Sequence, residues 1–434
     1  IKIKLFINKE ILDIKNFGTA ELFRKFYLFI NFLKIILMDF LAILPCIIIR
    51  ILSPFVIIRI EKIPSANFGD FNLYPAIYYC NKKLGIDQPK KKCIDLVYIH
   101  YNDKVFNKQL AIMWKRKLKF FSGYFLDPIS RVNKLLPGWE KHTIKTLYSK
   151  KREIGNLFEK CKTIEFNKDE DERGKQILNK FGLTKNDKFV CFAIRDGAYQ
   201  LKKISKRYRD WSYQDFRNFE IDKFMMAAEE LASRGYYVFR MGVVTEKKFK
   251  SNNSKIIDYA NSNLRSDFMD IYLGAKCTFC VATNYGFDAL PNIFNKPIVM
   301  LGLPLGDLRT NNEKFIIMTK HHVLKNEQRK LSLSEIFSLG LAFSFNSKDF
   351  EKKGVELVHN SPEEIKDLVL EMTDFIEFNK TLSKEEEDLQ KNFRYLYALN
   401  FKRFEHQVKK TTNNVSSKIM SRFSTKFLKD NRSW

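Results

Sequence analysis

The sequence predicts an α/β fold built on parallel β-sheets, and three observations support this. Short apolar runs with the length of buried strands recur along the chain. Helical segments alternate with them, and glycine or polar turn residues separate the two. Residues 277–301 show the pattern most clearly, because a strand (277–282), a polar turn, a short amphipathic segment (287–294) and a second strand (297–301) follow one another. This order is that of a parallel βαβ crossover.

Length and composition limit the classes of protein. A chain of 434 residues is long enough for two domains, since one core rarely grows beyond about 250–300 residues. The net charge of +26 is spread along the chain, and no basic helix, RNA-binding signature or zinc-finger spacing accompanies it, so nucleic acid is not a predicted partner. Seven scattered cysteines indicate reduced thiols in a cytosolic compartment.

The most apolar part of the chain, residues 26–58, lies near its amino terminus. It is interrupted by three charged residues and two prolines, Lys34, Asp39, Arg50, Pro45 and Pro54. No uninterrupted apolar stretch therefore reaches the roughly 20 residues of a membrane-spanning helix. We predict an interfacial or docking helix over 23–44, with peripheral membrane contact through 23–58. A buried core helix is the alternative.

The first domain is predicted to alternate strands and helices, with strands at 55–60 and 94–99 and helices at 71–84 and 105–120. Its opening segment, 59–76, carries Arg59, Gly69, Asp70, Pro75 and Ala76. These residues resemble the Arg-x(n)-Gly-Asp-x(n)-Pro-Ala pattern of bacterial heptosyltransferase-like glycosyltransferases. The resemblance implies that Asp70 is a general base. The alternative is that Asp70 only caps a helix.

In the second domain, two predicted strands end at basic residues. The strand at 189–194 is followed by Arg195-Asp196-Gly197, and the strand at 237–241 ends with Arg240, before Gly242. The first of these resembles the strand-end arginine motif of fucosyltransferase-like enzymes, in which the arginine pairs with the diphosphate of the donor. The planar guanidinium suits phosphate oxygens. A solvated Arg195–Asp196 ion pair is the alternative.

The turn at 283–286, Thr283-Asn284-Tyr285-Gly286, is a candidate anion-binding site. Open α/β sheets bind ligands beyond the carboxyl ends of their strands, and free N–H groups at a helix start favour anions. Taken alone, the turn also fits a structural interpretation, in which Gly286 ends the turn and Thr283 or Asn284 caps the helix.

Together, residues 195–302 resemble the donor-binding half of GT-B glycosyltransferases. They are most similar to an uncharacterised family of bacterial surface-polysaccharide transferases, through Arg217-Asn218-x-x-Ile221-Asp222, Arg240-Met241-Gly242, Asp258-Tyr259-Ala260 and the Asn-x-Gly turn. The resemblance implies two Rossmann-like domains that face a cleft. It also implies a set of donor-binding residues: Arg195, Asp196, Arg217, Asn218, Arg240, Gly242, Asp258, Thr283, Asn284, Tyr285 and Gly286. The segment 207–218 reads as a loop over this site.

The carboxyl-terminal part is predicted to be helical. Ser361-Pro362-Glu363-Glu364 is a strong helix start, and helices to about residue 378 and over 384–407 have lengths that suit the bracing helices of GT-B proteins. From residue 411 the chain is polar and is expected to fray. The predicted divisions are an amino-terminal segment (1–54), an acceptor domain (55–165), a donor domain (186–360), bracing helices (361–410) and a tail (411–434).

The predicted function is an inverting glycosyltransferase at the cytoplasmic face of the plasma membrane. It would use a nucleotide-diphosphate sugar as co-substrate and a surface-glycan or lipid-linked acceptor, without a cofactor. No Asp-x-Asp occurs in a plausible loop, which removes the commonest sequence reason for a metal ion. A non-catalytic sugar-nucleotide-binding or scaffold protein of polysaccharide assembly is the alternative. An epimerase or dehydrogenase would need GxGxxG after its first strand, and none occurs.

Overall fold

A computed structural model describes residues 2–144, 154–198, 212–302, 304–307, 311–411 and 416–431. It is a mixed α/β structure with parallel sheets and an apolar amino-terminal helix, which confirms the predicted fold class. Part of the predicted loop over the site, 207–211, lies outside the described residues.

The regular elements alternate along the chain as the sequence predicts. The helices are α1 (Lys2–Ile51), α2 (Phe68–Lys83), α3 (Lys108–Lys117), α4 (Gly123–Lys134), α5 (Leu157–Lys160), α6 (Lys168–Lys180), α7 (Met225–Ser233), α8 (Asp267–Lys276), α9 (Ala289–Ile293), α10 (Leu333–Ser338), α11 (Ser347–Lys352), α12 (Pro362–Phe378), α13 (Lys384–Thr411) and α14 (Thr425–Asp430). The strands are β1 (Ile57–Lys62), β2 (Cys93–Tyr98), β3 (Phe120–Phe121), β4 (Phe189–Ala193), β5 (Tyr237–Arg240), β6 (Ile256–Ile257), β7 (Phe279–Ala282), β8 (Ile298–Leu301), β9 (Phe315–Met318), β10 (His321–Leu324), β11 (Arg329–Lys330), β12 (Val355–Val358) and β13 (Arg422–Phe423).

The chain divides into two compact units. Unit 1 comprises residues 1–63, 89–103 and 119–145, and unit 2 comprises 64–88, 104–118 and 146–434. The units therefore interleave in sequence, whereas the sequence suggested contiguous domains. The predicted domain boundaries stay a prediction.

Unit 1 contains the three-stranded parallel sheet β1-β2-β3 together with α1 and α4. Register pairs Arg59 on β1 with Asp95 on β2, and their side chains form a buried ion pair with an Nε–Oδ1 distance of 2.6 Å. Such a pair fixes register, because breaking it would leave a buried charge without compensation.

Helix α1 differs from its prediction in extent and character. It continues through Pro45 to Ile51, with one non-helical residue at Gly18. By length and composition alone, Glu21–Ile51 is long and apolar enough to cross a membrane, although charged residues and Pro45 interrupt it. Only 17% of its most apolar window is buried, which also argues against the core-helix alternative.

Unit 2 is built on a seven-stranded sheet with the order β13-β9-β8-β7-β4-β5-β6, in which every pairing is parallel. From β4 the chain moves outward to β5 and β6, and it then returns to β7 and moves the other way to β8 and β9. Strands β4, β7, β8 and β9 are buried throughout, as their continuous apolar runs predict.

The carboxyl-terminal part of unit 2 shows one confirmed prediction and one wrong one. Ser361 caps α12 in a capping box with Glu364, as predicted. The tail does not fray over its described part. Residues 422–423 form β13, which pairs with β9, and α14 buries Phe427 and Leu428. The sequence did not predict β13 and α14, because a two-residue strand and a short helix in a polar segment show little periodicity.

Candidate functional site

The candidate site lies where the strand order of the large sheet reverses, between β4 and β7. Arg195 follows β4 and Thr283 follows β7, at the same edge of the sheet. The Arg195 backbone N–H donates to Thr283 Oγ1 over 2.8 Å, and both residues are buried. Two motifs 88 residues apart in sequence therefore meet at a topological switch point, where open α/β sheets bind ligands.

The turn after β7 is held by its own contacts. Asn284 has a left-handed backbone (φ 52°), and its N–H lies 3.0 Å from Met300 Sδ. The following short 3₁₀ helix, Gly286–Asp288, has Tyr285 at its N-cap without a side-chain cap. Capping by Thr283 or Asn284 is therefore wrong, because Thr283 Oγ1 accepts the Arg195 N–H.

Two glycines bring the start of α2 against this turn. A Cβ atom on Gly69 would lie 3.1 Å from Gly286 Cα, and one on Gly286 would lie 3.2 Å from the Gly69 nitrogen. Such distances are tighter than most Cβ contacts, so a side chain at either position would push the two backbones apart by a few tenths of an ångström, and glycine suits this close approach. The predicted Gly-Asp motif and the predicted Asn-x-Gly turn thus belong to one place in unit 2.

Asp70 is the third residue of α2 and lies beside this contact. The N-cap of α2 is Asn67, whose Nδ2 donates to Asp70 Oδ2 over 3.1 Å. The alternative in which Asp70 is the N-cap is therefore wrong. A half-buried carboxylate on the first turn of a helix is favoured by the helix dipole.

Arg240, at the end of β5, is fully buried between two carboxylates. Its Nη2 lies 3.3 Å from Asp196 Oδ2 and its Nη1 lies 3.6 Å from Asp258 Oδ1. Burial lowers the pKa of Arg240, while Asp258 and Asp196 oppose the shift. Asp196 also accepts the N–H of Glu246 over 2.8 Å. The solvated Arg195–Asp196 pair is therefore wrong, because Asp196 pairs with Arg240 instead.

The Arg240 cluster is incompletely hydrogen-bonded. Among the described residues, Arg240 Nε and Nη1 and Asp258 Oδ1 have no hydrogen-bond partner. Buried polar atoms without partners are rare in native structures and often mark a site that accepts a ligand or water. Gly242, two residues beyond, contributes its carbonyl, which accepts Arg265 Nε over 3.0 Å.

The segment 212–219 packs beside Arg195. Arg195 Nη1 donates to the Gln214 carbonyl over 2.6 Å, and the Phe219 N–H donates to the Arg195 carbonyl over 2.8 Å. Arg217 donates to Gln214 Oε1, and Asn218 Nδ2 donates to Asp215 Oδ1. Arg217 and Asn218 therefore shape the surroundings of Arg195, while Asp222 from the same motif is 64% exposed and pairs with a surface lysine.

Lys320 is a residue that the sequence reasoning missed. It follows β9, is only 3% exposed, and its Nζ donates to the Asn218 carbonyl over 2.5 Å. The ring of Phe219 lies 4.3 Å from Nζ. Burial and, secondly, Arg195 lower the pKa of Lys320 to about 7, against Asp215 and Glu220. The signal was present, because Lys320 also follows a buried strand at its carboxyl end.

The structure thus brings most of the predicted residues to one edge of the sheet in unit 2. Arg195, Thr283 and the glycine contact lie at the switch point, Arg240 and its carboxylates lie one strand away, and Lys320 lies on the other side after β9. Buried cations and the backbone N–H groups of a turn are groups that can together bind an anion.

No family model and no curated protein sequence matches the chain. Three solved structures are similar in part. The E. coli ADP-heptose lps heptosyltransferase II is 12% identical in sequence. The match covers 60% of this chain and 90% of that one, with a TM-score of 0.34. A family 9 glycosyl transferase from Veillonella parvula DSM 2008 is 12% identical in sequence. The match covers 73% of this chain and 98% of that one, with a TM-score of 0.37. An E. coli heptosyltransferase solved with ADP is 11% identical in sequence. The match covers 61% of this chain and 93% of that one, with a TM-score of 0.27.

Proposed function

We propose that the protein is a glycosyltransferase that moves a sugar from a nucleotide-diphosphate sugar to an acceptor hydroxyl. The observation that carries the proposal is the meeting of Arg195 with Thr283 at the switch point of a parallel sheet, beside the Gly69–Gly286 contact that brings Asp70 close. A base and a phosphate-binding arginine are then supplied by residues of the same unit.

In the proposed mechanism, Asp70 accepts the proton of the acceptor hydroxyl. The hydroxyl oxygen attacks the anomeric carbon, and the bond from that carbon to the diphosphate oxygen breaks, so that the diphosphate leaves with the electron pair. Arg195 and the N–H groups of the 283–286 turn stabilise the charge on the departing diphosphate. One displacement inverts the anomeric configuration.

The other predicted residues are assigned supporting roles. Arg240 holds Asp196 and Asp258 in place, and we propose that these carboxylates accept hydrogen bonds from hydroxyl groups of the donor. We propose that the reaction needs no metal ion, which transfer in the presence of a chelator tests. The acceptor is proposed to be a surface glycan or lipid-linked sugar at the cytoplasmic face of the membrane.

A panel of nucleotide sugars tests the donor assignment. A donor that binds only the native state raises the apparent melting temperature of the full chain by mass action, and transfer to a lipid-linked acceptor is then assayed with that donor. Arg195→Met is expected to lose the shift, while Arg234→Met, a surface arginine of the same unit, keeps it. A shift without transfer under any acceptor would favour the binding-protein alternative. No shift from any nucleotide sugar would refute the proposal.

Asp70→Asn separates chemistry from folding. Asparagine keeps the size and the polar contact with Asn67 but cannot take the proton of the acceptor at neutral pH. We expect near-native stability, unchanged donor binding and transfer slower by at least about a hundredfold, within the usual range for a general base. Asp87→Asn, on the loop after α2, serves as the control. Full transfer activity in the Asp70 variant would place the base elsewhere.

A further inference from the structure

The three charged residues in the apolar part of α1, which are Lys34, Asp39 and Arg50 within residues 26–51, contact other parts of unit 1. Asp39 Oδ1 lies 2.7 Å from Arg131 Nη2 on α4. Arg50 Nη2 donates to Asn133 Oδ1 over 2.9 Å. Lys34 Nζ lies over two tyrosine rings of the same unit. Asp39 and Arg50 are therefore directed to unit 1, while Lys34 is exposed and lies beside the two tyrosine rings.

Over residues 26–30, α1 is apolar and exposed around its whole circumference. Five consecutive residues, Phe26, Tyr27, Leu28, Phe29 and Ile30, are between 47% and 67% exposed. Successive residues are about 100° apart on a helix, so these five side chains surround it completely. A partner helix or a second copy of the chain would cover only one stripe. A fluid apolar medium covers all sides.

The apolar surface continues from α1 onto its neighbours in unit 1. Phe121 on β3 and three residues of α4 and its end, Tyr124, Phe125 and Leu135, are 46% to 83% exposed. Monomeric soluble proteins rarely expose patches of this kind. Tyrosine and phenylalanine at such an edge suit the boundary between headgroups and acyl chains.

We propose that residues 26–51 of α1 lie in the plane of a phospholipid bilayer, with Asp39 and Arg50 facing unit 1 and the exposed apolar side chains among the lipids. Contacts at Lys34, Asp39, Ala42, Cys46 and Arg50 attach α1 to unit 1 over about four turns. A helix attached along this length cannot cross the hydrocarbon core without taking the charges of α4 with it, which is costly. The proposal rests on unit 1 alone and is independent of the proposed glycosyl transfer.

Flotation with vesicles of phosphatidylethanolamine and phosphatidylglycerol tests the proposal. The full native chain is expected to float with the lipid. Phe40→Glu with Leu44→Glu, at positions 69% and 65% exposed, should bind at least about tenfold more weakly, because charge replaces large apolar groups at the lipid surface. Tyr395→Glu with Leu399→Glu, an equally spaced exposed pair on α13, is the matched control and should float as the native chain does.

A second measurement separates an in-plane helix from a spanning one. The quenching of the chain's own four tryptophans is measured on the native chain and subtracted from that of tryptophans introduced one at a time at Phe29, Leu37, Leu44 and Ile51, which lie about two turns apart on one exposed face of α1. Brominated lipids should quench them equally if the helix lies in the plane, but with a maximum in the middle if it spans. The proposal is overturned by such a maximum, by flotation of the Phe40/Leu44 variant equal to the native chain, or by a native dimer that stays off the vesicles.

Discussion

Two buried cations at the same edge of the large sheet, Arg240 and Lys320, differ in what surrounds them. Arg240 lies between Asp196 and Asp258, so its charge is balanced by carboxylates. Lys320 is held by the carbonyl of Asn218 and the ring of Phe219, and no carboxylate of the described residues lies within ion-pair distance of it.

The difference shows that burial alone does not decide whether a cation stabilises the fold or responds to an incoming anion. A cation between carboxylates stabilises the fold, because removing it leaves two largely buried anions without compensation. A cation held by carbonyl dipoles keeps a net charge that can respond to an incoming anion, and burial lowers its pKa. We therefore expect Arg240 to control stability and Lys320 to control the pH dependence of stability and binding.

The largest expected effect is that of Arg240→Met on stability. Removing the guanidinium leaves Asp196 and Asp258 uncompensated, so we expect a loss of about 3–5 kcal/mol in the free energy of unfolding. Urea unfolding at pH 7 measures it. If the variant does not fold, the triple variant with Asp196→Asn and Asp258→Asn should recover a folded protein, because the uncompensated charges are then removed.

Arg234→Met is the matched control for this prediction. Arg234 pairs with Glu230 and Asp374 at 3.1 Å, but at the surface, where such pairs contribute about 0–1 kcal/mol. If Arg240→Met costs no more than Arg234→Met, the carboxylates around Arg240 do not bind it into the fold and the comparison fails.

The sequence predicted the strand ends better than their partners. Short apolar runs predicted the strands β4, β5, β7 and β8. Because open parallel sheets bind ligands beyond the carboxyl ends of their strands, the ends of these strands then selected Arg195, Arg240 and the 283–286 turn. The same rule applied to β9 would have selected Lys320. The partners of Arg240 could not be predicted, because they depend on which side chains of three separate segments converge.

Local reasoning failed where distant segments meet. The neighbours of Asp70 in sequence also fit a helix cap, whereas its position follows from the contact of Gly69 with Gly286, 217 residues away. Asp39 interrupts the apolar sequence of α1, but the sequence does not show that its partner is Arg131, 92 residues away. β13 is too short to show a period.

A smaller effect is expected in the pH dependence of stability at Lys320. Its folded pKa of about 7 lies below its usual 10.5, so between these values the unfolded chain binds one more proton. The contribution of Lys320 to the free energy of unfolding therefore rises with pH over that range, by up to about 1.4 kcal/mol per pH unit. The groups that face Lys320, which are Arg195, Asp215, Glu220 and His359, set how steep the rise is.

Lys320→Met removes this rise. We expect the stability of the native chain relative to the variant to increase by about 2 kcal/mol from pH 7 to pH 9 in urea unfolding. The lost hydrogen bond to Asn218 affects both pH values alike and cancels from this difference. Lys247→Met, at a lysine whose side chain is 61% exposed, should follow the native curve. Parallel curves for the native chain and Lys320→Met would contradict the prediction.

The smallest expected effect concerns anion binding, and it asks whether Lys320 acts on a ligand at all. An anion bound near Arg195 favours the protonated lysine, so binding takes up a proton and the affinity for pyrophosphate, ADP or UDP should fall about tenfold from pH 6 to pH 8. The probe itself gains negative charge over this range, but it does so equally with every variant. Lys320→Met should therefore lose the fall, whereas Lys320→Arg, which stays charged, should keep high affinity at pH 8. Titration calorimetry in buffers of different ionisation enthalpy measures the proton uptake directly. Equal proton uptake by the native chain and Lys320→Met would show that Lys320 does not sense the anion, and would leave its burial a matter of packing alone.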